Sequence, residues 1–432
     1  MLRHLLRRLT YFATLLPTLA VLVMVLTADT YVPRSITDKI RQITAPYEFE
    51  FVSWTVNALW AKALQFTQGD ERYLSTDAWH DLVLEYNRLM DGISADEAEL
   101  TRIFADPGIA DPMRESEGVR SALAEKRRQQ SEQQSLVEAI LQEQVSSELR
   151  QEGFALGGEI MPPLLFRFSP IPMGLIISPR EVIRQDANIL LVPGLPLERQ
   201  IELEQEAERT LGVSALAVPF GGLGTFPTMI MEISWLNWVV EAVTHEWTHI
   251  YLFFTPLGIG YESAPELRTI NETAANLMGK TIGARIIRTF YPELAGLLPL
   301  SDAKNGGSTA GLAAPKPDFD YSREMHITRV EADRLLAEGK IEAAEAYMEQ
   351  RRVFIMEHFA EHGRVIRRLN QAFFAFYGSY ADSPGERGED PVGPAVIALF
   401  ELCPSPGAFL RAVSRVSSFA QLQQIVASGQ CG

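Results

Sequence analysis

Five consecutive residues, His245-Glu246-Trp247-Thr248-His249, combine two imidazoles and a carboxylate at a spacing suited to a metal-dependent hydrolase. On a helix of about 3.6 residues per turn, positions i and i+4 share one face, so each ring can give one nitrogen to the same zinc ion. Glu246 is turned about a third of a revolution away, toward the metal's open position, where a general base takes a proton from metal-activated water. The plain alternative is a pair of hydrogen-bonded histidines on a core helix.

A third ligand follows from the elements around this pentapeptide. The HExxH helix is predicted over residues 234–254, stopping before Thr255-Pro256-Leu257-Gly258-Ile259-Gly260. A second helix is predicted from Ser263 to about Phe290, with Pro265 near its first turn. From His249 to the end of the first helix the chain climbs roughly 7.5 Å, and from Pro265 to Glu272 it descends roughly 10 Å. An antiparallel return therefore brings Glu272 near the level of the two histidines. Two His and one Glu with an open position form the ligand set of a catalytic rather than a structural zinc.

These residues resemble the gluzincin metallopeptidases, thermolysin-like and aminopeptidase-like members among them, which pair HExxH with a downstream Asn-Glu motif. Asn271-Glu272-Thr273-Ala274-Ala275-Asn276 is similar to that second motif, and the likeness covers about residues 215–280. The resemblance implies a zinc-dependent peptidase with His245, His249 and Glu272 as ligands and Glu246 as general base, acting on a peptide or protein. It also implies a zincin-like fold. Thermolysin-like enzymes often carry an Asp four residues after the Glu ligand to orient a His, and this chain has Asn276 there. The Gly-Ala-Met-Glu-Asn type of motif that binds a free N-terminus in zinc aminopeptidases is missing.

Such a hydrolase needs a donor for the developing oxyanion, and Tyr377, Tyr380 and His326 are the candidates. Core packing is the plain reading of each. His358 and His362 also stand at i and i+4, but the residues between them and the lack of a third ligand favour a solvated helix face.

The positioning elements read as α+β and mostly helical. Residues 36–105 carry apolar residues at mixed three- and four-residue spacing, including Phe51, Trp54, Ala58, Leu59, Ala63 and Phe66, which predicts two or three packing helices. Residues 113–151, rich in Glu, Gln, Arg and Ser, predict a long solvated helix or helical hairpin, with a partner-binding coiled coil as the alternative. Four short β-favouring runs, 164–168, 174–178, 189–192 and 215–218, predict one small twisted sheet upstream of the HExxH helix. Phe220-Gly221-Gly222-Leu223-Gly224 offers either a side-chain-free edge for an extended peptide or a plain hairpin turn. Residues 303–320 read as a loop or lid-like excursion, and 328–381 as one or two long helices broken near Gly339. The expected organisation is an anchor at 1–30, a helical region at 31–160, sheet and zinc hairpin at 161–300, and a helical region at 301–432.

Composition bounds the rest. Of 432 residues 47% are hydrophobic and 22% charged, as expected of a folded chain with a substantial core, and the net charge of −16 disfavours a nucleic-acid partner. The two cysteines, Cys403 and Cys431, are too few for a disulfide framework, and their pairing stays open. Arg3, Arg7 and Arg8 precede an uncharged run at 10–28, which predicts an N-terminal membrane anchor, single pass, with the bulk outside the cytoplasm; a cleaved signal peptide is the alternative. A membrane-anchored scaffold with a structural or inactive zinc site, and an intramembrane protease spanning at 229–254, are the competing classes. Substrate side chains and oligomeric state are not legible.

Overall fold

The computed structural model describes residues 35–105, 109, 111–261, 263–298, 320–359, 366–378 and 391–432. Helices α1 (Ile36–Thr44), α2 (Phe51–Gln68), α3 (Thr76–Ala105), α4 (Pro112–Glu115) and α5 (Glu117–Gln151) come first. Strands β1 (Ala155–Leu156), β2 (Glu159–Ile160), β3 (Phe166–Phe168), β4 (Met173–Pro179) and β5 (Ala187–Leu191) lead to α6 (Leu197–Leu211). Strands β6 (Val213–Pro219), β7 (Gly222–Leu223) and β8 (Thr228–Ile230) complete the β-structure. The remainder is helical: α7 (Leu236–Leu252), α8 (Pro256–Ile259), α9 (Pro265–Phe290), α10 (Tyr321–Ala337), α11 (Ile341–Phe359), α12 (Gln371–Tyr377), α13 (Val392–Leu402), α14 (Pro406–Val413) and α15 (Phe419–Ser428).

The chain is mostly helical with small sheets, and the single sheet expected from the sequence is corrected to two three-stranded sheets and a short β1–β2 pair. In one, β4 lies between β5 and β6, all antiparallel. Side chains alternate along β4: Leu175 and Ile177 join the core under α1 and α6, while Ile176 faces the core built with α10, α11 and α12. In the other, β8 pairs parallel with β3 and antiparallel with β7. Local propensity marked the strands but not their partners, and β8 carried too short a run to be read at all.

The helical regions depart from expectation in burial more than in position. Three helices do fill 36–105, but α2 buries Ala58, Lys62 and Gln65, while Phe51, Val52, Val56, Leu59, Trp60 and Phe66 are exposed. Helix α5, expected to be solvated, is buried along its second half from Val137 to Leu149. Its polar residues explain why. Gln142 Oε1 accepts from the Phe166 amide at 3.2 Å, Glu138 Oε1 accepts from the Phe168 amide at 2.8 Å, and Gln134 Nε2 donates to the Phe168 carbonyl at 3.1 Å. Four helical residues rise about 6 Å and two strand residues about 6.6 Å, so side chains every four positions on α5 match every second residue of β3. The helix thus closes the outer edge of β3 by side chain.

The long polar helix therefore serves this chain's own sheet. Gly339, with φ of 73°, ends α10 as predicted, and α12 is a separate short helix beyond it. Cys403 and Cys431 form a disulfide that ties α13 to the C-terminus.

The membrane expectation is corrected. Among the described residues no helix is long and apolar enough to cross a membrane. Residues 10–28, the basis of the predicted anchor and of the extracytoplasmic placement, lie outside those described. The apolar stretch 229–254 begins in β8 and continues as the core helix α7, of which Val239, Val240, Val243, Trp247 and Leu252 are all at most 2% exposed within one hydrophobic core.

Candidate metal centre

Helices α7 and α9 form the predicted hairpin; α7 is two residues shorter at each end than the sequence suggested, and α9 starts two residues later and ends at Phe290 as expected. Two glycines, which sequence reading passed over, set how close they come. A Cβ on Gly279 would stand 2.8 Å from the Glu241 carbonyl oxygen and 3.3 Å from His245 Cβ, and one on Gly283 would stand 3.2 Å from Glu241 Cα. The Gly279-Lys280-Thr281-Ile282-Gly283 spacing, one helical turn, is the signal that marks this contact.

That approach brings His245, His249 and Glu272 together. The two Nε2 atoms are 3.0 Å apart, and Glu272 Oε2 is 3.6 Å from that of His245 and 3.5 Å from that of His249. A triangle with these sides has its centre about 2.0 Å from each corner, the bond length zinc makes to imidazole nitrogen and carboxylate oxygen.

The hydrogen bonds around the triangle aim these three atoms inward. His249 Nδ1 bonds Asn271 Oδ1 at 2.8 Å, so Nδ1 carries the hydrogen, and in the neutral ring Nε2 presents its lone pair to the cluster. The Tyr261 hydroxyl donates to Glu272 Oε1 at 2.5 Å. Glu272 Oε2 is buried and meets no hydrogen-bond donor in good geometry, a costly state for a carboxylate oxygen that a bound cation would relieve. The residues present therefore fit a zinc ion. Asn271 and Tyr261 bond His249 and Glu272 directly, and Asn276 lines a neighbouring cavity with His245. Adjacency of Asn271 to the Glu ligand was visible in the sequence, but its reach to His249 required the hairpin geometry.

Electrostatics follow from the same arrangement. Burial alone would lower the His249 pKa, but the Glu272 carboxylate, helped by Glu246 and Asn271, pushes it up to about 9. Burial opposes ionisation of Glu272, yet the adjacent His249 and His245 rings hold its pKa well below the usual carboxylate value. Glu246 moves the other way, upward, because burial and the Glu272 charge outweigh the two histidines.

Two cavities meet at Glu246 and His245. The larger, about 880 Å³, is lined also by Trp238, Lys280, Arg367 and Tyr377. The smaller, about 380 Å³, is lined also by His249, Phe253, Tyr261, Arg268 and Glu272. The glycine-rich segment separates into Gly222 and Leu223 on β7, an outer strand of its sheet, and Gly224 beyond it. A Cβ at Gly222 would lie 2.8 Å from Glu246 Oε1, so a bare backbone is needed there to seat the carboxylate.

Of the oxyanion candidates, Tyr377 lies in the larger cavity with His245 and Glu246. Tyr380 falls outside the described residues, and His326 on α10 is not among the residues lining either cavity. His358 Nδ1 bonds the Phe354 carbonyl at 2.7 Å on an exposed face, and His362 also falls outside the described residues.

Comparison of the chain with protein-family models, curated proteins and solved structures finds no match.

Proposed function

We propose that this protein is a zinc-dependent peptidase of gluzincin type, with His245, His249 and Glu272 holding the metal. The observation that carries the reading is the buried, unbonded Glu272 Oε2 facing two histidine nitrogens at 3.5 and 3.6 Å. Zinc there would act as a Lewis acid on a carbonyl and lower the pKa of water. Glu246 would take a proton from water as its oxygen bonds to the peptide carbon and return it to the amine nitrogen as the C–N bond breaks; burial raises its pKa, which favours holding the proton between the two transfers. Backbone groups of β7, beside Glu246, hold an extended substrate by strand pairing. Tyr377 is the assigned oxyanion donor, reached from the larger cavity.

Glu246→Gln tests the reading, since Glu246 moves protons without holding metal. The variant keeps its fold and zinc, and turnover of a peptide library falls by a factor on the order of 100 or more. A zinc-loaded wild type that cleaves no peptide, or a variant that cleaves as fast, would replace the hydrolase with a scaffold carrying a structural metal.

A further inference from the structure

The two cavities differ in charge as well as in size. In the larger one Glu241 shares the wall with Lys280, Arg367 and Arg368, so acidic and basic groups are mixed. In the smaller one Arg268 is the single Lys or Arg among the described lining residues. Arg268 precedes Glu272 by four positions on α9, one helical turn, so it projects from the same face as the ligand. It is 9% exposed, and its guanidinium lies over the Tyr261 ring, 5.3 Å from the centroid. The Tyr261 hydroxyl also donates to Glu272 Oε1, so one tyrosine fixes both the carboxylate and the plane of the cation. The carboxylates on this wall, Glu246 and Glu272, belong to the His245–His249 cluster, and away from that cluster and Arg268 the lining is apolar or neutral, with Leu223, Phe253 and Phe376 beside Gln185 and Asn188.

We infer that the smaller cavity is a carboxylate subsite read by Arg268, and that the preferred substrates are peptides whose free C-terminus lies one or two residues beyond the cleaved bond. A cavity of about 380 Å³ is near the lower end for a ligand site, which suits a short remnant more than a continuing chain. A guanidinium matches a carboxylate in one plane through two N–H donors, and the apolar walls take the terminal side chain. The larger cavity holds the rest of the substrate on the other side of Glu246. This inference rests on the peptidase reading.

The test compares N-acetylated peptides of four to six residues ending in a free acid with the same peptides ending in an amide, using zinc-loaded protein. Wild type is expected to favour the acid by about 100-fold in kcat/KM, chiefly through KM, and Arg268→Gln to bring the ratio near one with zinc content kept. Calorimetry with N-acetyl-Ala-Phe and its amide on zinc-loaded Glu246→Gln should show the same preference in binding, and its loss when Arg268→Gln is added. Equal cleavage of acid and amide by wild type would overturn the subsite while leaving the peptidase standing. An unchanged acid preference in Arg268→Gln would do the same. If no peptide of either kind is cleaved, the peptidase reading itself falls and takes the subsite with it.

Discussion

Helix α5 and the α7–α9 hairpin both bury carboxylates, yet they treat them in opposite ways. On α5 the Glu138 side chain is 4% exposed and fully served: Lys62 Nζ donates at 2.6 Å, and Gln134 and the Phe168 amide donate at 2.8 Å. In the hairpin Glu272 is buried to a similar degree, but one oxygen bonds Tyr261 and the other bonds nothing. The counter-charge of Glu272 comes from the two imidazoles, which carry it only when protonated, so Glu272 Oε2 lacks the standing donors that serve Glu138. Glu138 is satisfied by the fold alone, whereas the His245, His249 and Glu272 cluster is one that could hold a metal ion.

The sharpest way to break this contrast is to remove one hairpin ligand. His249→Ala is expected to lose stoichiometric zinc by elemental analysis while the far-ultraviolet circular dichroism stays that of a folded helical protein. Retention of one zinc per chain would refute the site. The matching change on α5 is Glu138→Ala, which strands Lys62, whose pKa burial already lowers against the pull of Glu138. It should cost about 3–5 kcal/mol in chemical denaturation and leave zinc content of the folded protein unaltered. Loss of zinc with wild-type stability would show that the two carboxylates do not divide their roles in this way.

The hairpin was legible because its information is local. HExxH, the Pro-Gly break and Asn-Glu follow one another within 28 residues, and helical geometry alone converts the spacing into a shared level. Sheet pairing was not legible, since Phe166 meets Thr228 across 62 positions and nothing in either run names the other. The burial of α2 and α5 was misread for a related reason. Composition predicts exposure only when polar side chains face water, whereas Glu138 and Gln142 face strand amides and Lys62 faces Glu138. Tyr261 and Asn271 were missed because orienting residues are defined by what they touch, and their reach depends on how closely Gly279 lets the helices pack.

A pH titration sharpens the comparison further. In the metal-free protein His249 titrates near 9, above its unfolded value of about 6.5. Its proton contributes stability in full below that unfolded value, and the contribution is lost as pH rises through the folded one. The metal-free protein should therefore lose melting temperature between pH 6.5 and 9. Excess zinc should flatten that slope, because the metal takes the place of the proton, and the slope should be missing in His249→Ala. An identical slope in His249→Ala would assign it to another group.

The smallest expected effect concerns orientation and not ligation. Asn271 gives the metal nothing directly, but its Oδ1, 2.8 Å from His249 Nδ1, selects the tautomer that leaves Nε2 bare. Asn271→Ala frees the ring to rotate and to place its hydrogen on either nitrogen, so zinc affinity by chelator competition should weaken about tenfold. Asn271→Asp restores an acceptor at the same reach and adds charge, so it should recover wild-type affinity or exceed it. This pair of variants separates orientation from packing: Asn271 is also buried, and a loss due to a void alone would appear in the alanine variant as lowered stability without a matching change in zinc affinity. Equal zinc affinity in wild type, Asn271→Ala and Asn271→Asp would remove Asn271 from the site and return the search for an orienting residue to the helix face that carries Asn276.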